Sequence, residues 1–258
     1  MAADEVVEWP AHRQRRVVVG FSGGVTSAWC AGWALRNFPK DEVTLLFHDT
    51  KEEDEDTYRF LHEVAGKLAH PITERSDGRS VTELMYDEDM LPNNHMAFCS
   101  RILKVAQGTA YLAELRALGV TDILKVFGFS AKEEERVQRM TAHGWKDGFV
   151  ARFPLIEEHI TKQDAADWCT CTLGVALPRM YAWSDHANCP GCVRGGKAYW
   201  LAVKANRPDV FEQRRALEIE FGYSFNKRYT LTQIEREGLQ RPVARRESID
   251  IGPCECGD

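Results

Sequence analysis

The sequence predicts an α/β protein with a doubly wound, mainly parallel sheet covered by helices on both faces, and a small cysteine-bearing C-terminal region. First, short apolar segments rich in β-branched residues alternate with segments of helical periodicity up to about residue 150. Second, two glycines follow the first apolar segment, where a parallel sheet places its ligand-binding loops. Third, turns and cysteines become frequent from residue 151 onward.

The elements of the predicted α/β core, residues 16–150, follow in chain order. Short apolar runs with β-branched residues indicate buried strands, and apolar residues near i, i+3 and i+4 indicate helices. The predicted strands are RVVVGF, EVTLLFHDT, ITERSD and DILKVFGFS. The predicted helices are SAWCAGWALRNF, EDTYRFLHEVAGKLA, SVTELMYDEDML and SRILKVAQGTAYLAELRALG. The last of these ends at Gly119, a residue type that commonly follows a helix.

Three further regions complete the predicted organisation. Residues 151–228 form a C-terminal part with a short amphipathic helix, a turn-rich cysteine segment and the helix RPDVFEQRRALEIEFG. Residues 1–15 are expected to be an N-terminal extension. Residues 229–258 are expected to be an extended tail.

The composition is ordinary for a soluble globular protein, with 44% hydrophobic and 28% charged residues in a chain of 258. No apolar run approaches the ~18–20 residues of a membrane span. The N-terminus lacks the basic-then-apolar order of a signal peptide, so we expect a cytoplasmic protein without membrane contact. The net charge of −6 argues against nucleic-acid binding through bulk charge but leaves room for a local basic groove.

The segment SGGVTS, residues 22–27, lies between the first predicted strand and helix. Glycines there let the backbone approach an anion, and the N–H groups at a helix N-terminus favour a phosphate. The hydroxyls of Ser22, Thr26 and Ser27 add hydrogen-bond donors. The segment does not fit G-x-x-x-x-G-K-S/T, the loop of kinases and GTPases. Ordinary strand–helix turns also contain glycines, so the interpretation depends on the motifs that follow.

The loop resembles S-G-G-x-D-S, the pyrophosphate loop of the PP-loop ATP pyrophosphatases or adenine nucleotide α-hydrolases, with Thr26 in place of the aspartate. Later segments resemble phosphoadenosine phosphosulfate (PAPS) reductase-like members of that superfamily. These segments are LLFHDTKEEDEDTYRFLHEV, CSRILKV, FGFSAKEEERVQR and FPLIEEHITKQDAADW. The chain is therefore identified as a PAPS reductase-like member of the superfamily from about Arg16 to Phe221.

The resemblance implies an adenine nucleotide site, for ATP with Mg²⁺ or for PAPS. Asp49 and Thr50 would lie near the adenosine, and Asp49 at a strand end could accept hydrogen bonds from a ribose or an adenine amine. Either residue could instead cap a helix. Gly128 would lie in the nucleotide loop, and Arg136 or Arg139 near a phosphate. The implied phosphate-loop residues are Ser22, Gly23, Gly24, Val25, Thr26 and Ser27.

The eight cysteines are clustered, which in a cytoplasmic chain favours metal ligands or redox groups over disulfides. Cys189 and Cys192 form a C-x-x-C turn, which alone fits half a zinc site, a redox pair or half an iron–sulfur site. The layout resembles that of adenylylsulfate reductases, which hold a [4Fe–4S] cluster between Cys-Cys and Cys-x-x-Cys, but here the first pair is Phe98–Cys99. The resemblance implies Cys99, Cys189 and Cys192 as ligands of a [4Fe–4S] cluster, with Zn²⁺ as the rival.

A fourth ligand is left open between Cys254 or Cys256, if the tail folds back, and His186 in a zinc site. The tail also resembles the Glu-Cys-Gly-x-His tail of sulfonucleotide reductases, whose thiolate attacks sulfur. Residues 255–257 match three of those positions, but no histidine follows, and the neighbouring acids disfavour a Cys256 thiolate. Three other cysteines are expected to pack as small hydrophobic residues: Cys30, Cys169 and Cys171.

Three functions follow from the resemblance. The favoured one is an ATP pyrophosphatase that adenylates an acceptor, with the cysteine site passing sulfur from a donor to that acceptor, for example a nucleic acid. The second is a thiol-dependent reductase of PAPS or adenylylsulfate with a thioredoxin-like partner. The third is a non-catalytic nucleotide-binding accessory of a CRISPR-type or other defence complex. The residues implied in catalysis are Ser22, Thr26, Arg136 and Cys256.

Overall fold

The computed structural model describes residues 15–93, 95–142, 148–238 and 249. Five strands form one parallel sheet in the order β3-β2-β1-β4-β5. Their bounds are β1 Arg15–Gly20, β2 Val43–Asp49, β3 Ile72–Ser76, β4 Asp122–Val126 and β5 Val150–Arg152. The strand order reverses between β1 and β4, so the crevice beyond their carboxyl ends is the place where such sheets bind ligands. The predicted doubly wound α/β fold is confirmed.

Helices cover both faces of this sheet because successive side chains of a strand point to opposite faces. Helices α1, Val25–Asn37, and α2, Glu55–Leu68, pack with one set of strand residues that includes Val17 and Leu45. Helix α5, Gln107–Ala117, packs with the opposite set, which includes Val18. The central strands are therefore buried on both sides, as their nearly continuous apolar sequence predicts.

The predicted long helix at residues 100–119 contains an irregular turn. It begins as α4, Phe98–Ser100, widens into a π-helical segment at Arg101–Ala106 and continues as α5. Such wide turns in helices often occur at functional sites. Lys104 lies in the π-helical segment and reaches the loop that follows β2.

The C-terminal part builds a second apolar core around Trp200, Phe211 and Phe225. The remaining helices are α3 Val81–Asp87, α6 Glu134–Ala142, α7 Pro154–Glu157, α8 Lys162–Asp167, α9 Lys197–Asn206, α10 Pro208–Phe221 and α11 Leu231–Glu237. Short 3₁₀ or π segments occur at Lys40–Glu42, Ala131–Glu133, Trp168–Thr172 and Arg179–Ala182. Among the described residues, no helix is both long and apolar enough to span a membrane.

The extended tail predicted from residue 229 is wrong where α11 forms. Thr230 and Gln233 cap its N-terminus reciprocally: the Thr230 side chain accepts from the Gln233 N–H at 3.0 Å, and the Gln233 side chain accepts from the Thr230 N–H at 2.9 Å. Leu231 and Ile234 are then buried in the second core. Of the later residues only Ile249 is described, and it is buried in the first core.

The acidic loop after β2 joins the C-terminal part to the sheet through ion pairs. Glu52 pairs with Arg214, which is buried. Asp54 pairs with Arg179 at 2.8 Å and with Arg207 at 2.9 Å, and its own side chain is 1% exposed. Loss of one partner from such buried pairs leaves an uncompensated charge, so this loop fixes the position of the C-terminal part.

Candidate functional site

The loop between β1 and α1 lies in the crevice where the strand order reverses. Gly23 has φ +81°, in the left-handed region that favours glycine. The Ser22 N–H donates to the Ser27 Oγ at 3.2 Å, and the Ser27 hydroxyl donates to the Gly24 carbonyl oxygen at 2.8 Å. Gly24 is the N-cap of α1 and has no side-chain cap. The loop is therefore shaped by its own hydrogen bonds while the helix N-terminus stays open.

Four N–H groups of this loop have no hydrogen-bond partner within the described part of the chain. They belong to Gly23, Gly24, Thr26 and Ser27. The first N–H groups of a helix have no partner inside the helix, and together with the helix dipole they favour an anion. The structure thus brings the predicted phosphate-loop residues together in an arrangement suited to a phosphate.

Gly128 closes this loop from the side of β4. A Cβ atom at Gly128 would lie 3.0 Å from the Ser27 nitrogen and 3.1 Å from the Thr26 carbonyl carbon. Both neighbours are backbone atoms, so any larger residue must displace the phosphate loop itself. The structure therefore places Gly128 against the predicted nucleotide site, whereas the side chains of Arg136 and Arg139 lie outside the described structure.

Tyr181 contacts the same loop from the C-terminal part, and the sequence analysis missed it. Its hydroxyl oxygen accepts a hydrogen bond from the Val25 N–H at 3.1 Å, and the side chain is buried. The two residues are 156 positions apart in the sequence. No local sequence pattern predicts such a contact. Because the Val25 N–H is already bonded to Tyr181, it is not among the N–H groups that could bind a phosphate.

A cavity beside the loop is lined by Gly20, Phe21, Ser22, Leu46, Phe47, His48 and Lys104. Burial, together with the charges of Lys125 and Lys104, lowers the pKa of His48 to about 4, so its ring is neutral at pH 7. The Lys104 ammonium pairs with Glu53 at 3.0 Å. Lys104 therefore connects this cavity with the cysteines described below.

Asp49 is buried at the end of β2 and is already hydrogen-bonded within the chain. Its carboxylate accepts from the Tyr58 hydroxyl at 2.6 Å and from the Lys51 N–H at 2.8 Å, and it pairs with the Lys51 ammonium at 2.7 Å. Burial alone would raise the pKa of Asp49, but the bonds from Lys51 and Tyr58 outweigh it and hold the pKa below its ordinary value. A ribose hydroxyl would have to compete with these donors.

Thr50 is placed with the cysteines. Its hydroxyl donates to the Glu53 Oε1 at 3.1 Å and lies 3.3 Å from the Cys189 Sγ. The Cys189 thiol donates to the same Glu53 oxygen at 3.5 Å. The structure thus joins the loop after β2 to the C-x-x-C turn, and the predicted adenosine contact of Thr50 stays a prediction.

The C-x-x-C turn is closed by a hydrogen bond from the Cys192 N–H to the Cys189 carbonyl oxygen at 3.0 Å. The Tyr199 hydroxyl donates to the carbonyl oxygens of Cys189 at 3.0 Å and Pro190 at 2.5 Å. Burial, and then the neighbouring Cys192, raises the pKa of Cys99. The fold therefore brings the three predicted cysteine ligands to one region.

The [4Fe–4S] or Zn²⁺ site that the resemblance implies stays a prediction. Within the described ranges, no group of three or more His, Cys, Asp or Glu side chains is placed to hold a metal ion. The carboxylate beside Cys189 is that of Glu53, and the Lys104 ammonium already neutralises it. A metal ion bound at this carboxylate would therefore lie close to the positive charge of Lys104. Cys254 and Cys256, predicted as a further ligand or nucleophile, lie outside the described residues.

The other described cysteines differ among themselves. Cys30 and Cys169 are free and buried in the first core, where burial raises the pKa of each thiol. They behave as the small hydrophobic residues that the sequence predicts. Cys171 is exposed and disulfide-bonded, which corrects its prediction as a packed thiol.

The model of the phosphoadenosine phosphosulfate reductase domain matches residues 16–159, more than half of this chain. The chain belongs to the phosphoadenosine phosphosulfate reductase domain family. This confirms the PAPS reductase-like, PP-loop identification made from the motifs. The span that matches the reductase domain contains the phosphate loop, Asp49, Cys99 and Gly128, but it ends before the C-x-x-C turn.

Two further comparisons accompany the reductase-domain match. No curated protein sequence matches this chain. Among solved structures, the phosphoadenylyl-sulfate (PAPS) reductase from Candida auris, in a phosphate complex, is 17% identical over 69% of this chain and 80% of that chain, with a TM-score of 0.43.

Proposed function

We propose that the protein binds an adenine nucleotide with its phosphates on the loop of residues 22–27 and cleaves ATP between the α and β phosphates. The observation that carries the proposal is the group of four N–H donors, on Gly23, Gly24, Thr26 and Ser27, that face no partner in the described structure. They lie at the N-terminus of α1, where an anion is favoured. Membership of the reductase-domain family supports an adenine nucleotide as the molecule that carries the anion.

The loop suits a reaction in which pyrophosphate is the leaving group. An acceptor oxygen attacks the α-phosphorus, the bond from that phosphorus to the bridging oxygen breaks, and the loop N–H groups stabilise the charge on the departing phosphates. Mg²⁺ bound to the nucleotide would add further neutralisation of that charge. Thr26 carries a hydroxyl where the superfamily motif has a carboxylate, so the loop adds no negative charge beside the triphosphate. The sulfur donor and a nucleic-acid acceptor stay predictions from the resemblance.

A second candidate is thiol-dependent reduction of PAPS, which the family match favours directly. The same loop would then hold the phosphate and sulfate groups of PAPS. The nucleophile would be Cys256, and a thioredoxin-like protein would regenerate the thiol. This candidate shares the nucleotide site with the first but differs from it in substrate and products.

Three measurements on the full-length chain separate the candidates. Incubation with ATP and Mg²⁺ is expected to release pyrophosphate, with water as the attacking nucleophile where no acceptor is added. Release of sulfite from PAPS and reduced thioredoxin, abolished in Cys256→Ser, would instead establish the reductase. Calorimetric binding of ATP without either turnover would establish the accessory role, and failure to bind any adenine nucleotide would overturn the proposal.

A further inference from the structure

The C-x-x-C turn has the backbone geometry of a disulfide site. The hydrogen bond from the Cys192 N–H to the Cys189 carbonyl oxygen at 3.0 Å closes a four-residue turn. The end Cα atoms of such a turn lie within about 7 Å. A disulfide requires Cα atoms about 4.4–6.8 Å apart. A turn of this size brings the two cysteines into the range of separations that a disulfide requires, and the Tyr199 hydroxyl holds its backbone in place.

The Cys189 thiol is hydrogen-bonded to a buried carboxylate. Its thiol donates to the Glu53 Oε1 at 3.5 Å, and the Thr50 hydroxyl lies 3.3 Å from the sulfur. The Glu53 side chain is 1% exposed, and its second oxygen has no partner among the described residues. A buried carboxylate with spare accepting capacity can receive the thiol proton when the sulfur forms a new bond. Lys104, paired with the first oxygen at 3.0 Å, balances the charge of this carboxylate.

The free cysteines in the described part of the chain fall into two groups by exposure. Cys99, Cys189 and Cys192 are partly exposed, whereas Cys30 and Cys169 are buried. Thiol–disulfide exchange requires a sulfur that another sulfur can approach. The partly exposed pair in a closed turn therefore differs from the two buried thiols of the first core.

We propose that Cys189 and Cys192 form a redox-active dithiol that organic disulfides oxidise reversibly to an intramolecular disulfide. One of the two sulfurs attacks the organic disulfide, forms a mixed disulfide and releases the first thiol. The other cysteine sulfur then attacks the mixed disulfide and releases the second thiol. Two electrons pass from the protein to the organic disulfide, and the two cysteine protons end on the two released thiols.

The test uses the full-length chain, purified anaerobically in reduced form and without added nucleotide. The protein is equilibrated with varied ratios of oxidised to reduced dithiothreitol, its free thiols are alkylated, and its peptides are mapped by mass spectrometry. The expected result is a disulfide between Cys189 and Cys192 that forms and disappears with the dithiothreitol ratio. Cys189→Ser and Cys192→Ser are expected to abolish this disulfide, and the matched variant Cys30→Ser to retain it in full.

Three results would overturn the inference. The first is stoichiometric iron or zinc in the anaerobically purified protein, bound through these cysteines. The second is a disulfide that joins Cys192 to Cys99 instead of Cys189. The third is no new disulfide in the wild-type protein across the whole range of ratios. Because none of these measurements involves a nucleotide, they stand or fall independently of the proposed ATP chemistry.

Discussion

Gly23→Ala tests directly how the phosphate loop is built. The residue has φ +81°, and a Cβ atom there would lie 2.4 Å from the Thr57 Cγ2. Thr57 is fully buried on α2, and the branching at its Cβ restricts χ1 to two rotamers in a helix. The methyl group cannot move away without strain, so the loop must move away from α2.

The expected loss of stability follows from two contributions. An alanine in the left-handed region is disfavoured by roughly 1–2 kcal/mol relative to glycine. Forcing an extra methyl group into packed surroundings destabilises a protein by a further ~1–3 kcal/mol. We therefore expect Gly23→Ala to lower the free energy of unfolding by about 2–5 kcal/mol, a large share of the ~5–15 kcal/mol typical of a folded domain.

Urea denaturation followed by circular dichroism measures this change. Gly66→Ala is the matched control, because it lies in α2 where a Cβ would meet nothing within 4 Å. The control is expected to stabilise the protein by up to about 1 kcal/mol. Adding Thr57→Ser to Gly23→Ala removes the obstructing methyl group. The double variant should regain the part of the free energy of unfolding that was lost through packing, but not the part that was lost through the backbone conformation of alanine. A Gly23→Ala protein as stable as the wild type, or no recovery with Thr57→Ser, would refute the reasoning.

Three further predictions concern the surroundings of the loop. Gly128→Ala should weaken ATP binding at least tenfold by calorimetry, because its Cβ would lie 3.0 Å from the Ser27 backbone nitrogen. The control Gly196→Ala has open space around its Cβ and should bind ATP as the wild type does. Equal affinities of the two variants would contradict the assigned contact. Asp54→Asn keeps a helix cap but removes the buried charge that pairs with Arg179 and Arg207. Its urea midpoint should fall by an amount equivalent to about 2 kcal/mol. The midpoint of the exposed control Asp41→Asn should stay unchanged. Burial lowers the pKa of His48 from 6.5 to about 4, so the unfolded state binds more protons in that interval and stability falls as the pH drops through it. His48→Gln should flatten the corresponding part of a plot of urea midpoint against pH, and an unchanged slope would show that another group titrates there.

The fold was predictable because each signal that encodes it is local. The β-branched runs, the helical periodicity and the glycines after the first strand each lie within about 15 residues of one another, and together they predict a doubly wound sheet with an anion-binding loop. Helix α11 was predictable in the same way, since Thr230 and Gln233 carry the spacing of a capping box. The extended-tail prediction overlooked that signal.

The composition of the site was predictable only in part, because hydrogen-bond partners are chosen by packing. The sequence indicates the loop of residues 22–27 and groups Cys189 with Cys192, but it does not indicate that Thr50 lies 3.3 Å from Cys189. Asp49 is a plausible ribose acceptor from its position at a strand end. Only the packing of α2 against the sheet shows that Tyr58 already occupies its carboxylate.

The sequence by itself determined the sheet, the phosphate loop and the family, because short-range periodicity and turn chemistry are fixed by neighbouring residues. The tertiary structure decided which donors and acceptors are left for a ligand. Tyr181 accepts the hydrogen bond of the Val25 N–H, although the two residues are 156 positions apart. Lys104 forms an ion pair with Glu53, the carboxylate beside Cys189. Such pairings arise when separate elements pack and bury polar groups that must find partners, and no local pattern encodes that requirement.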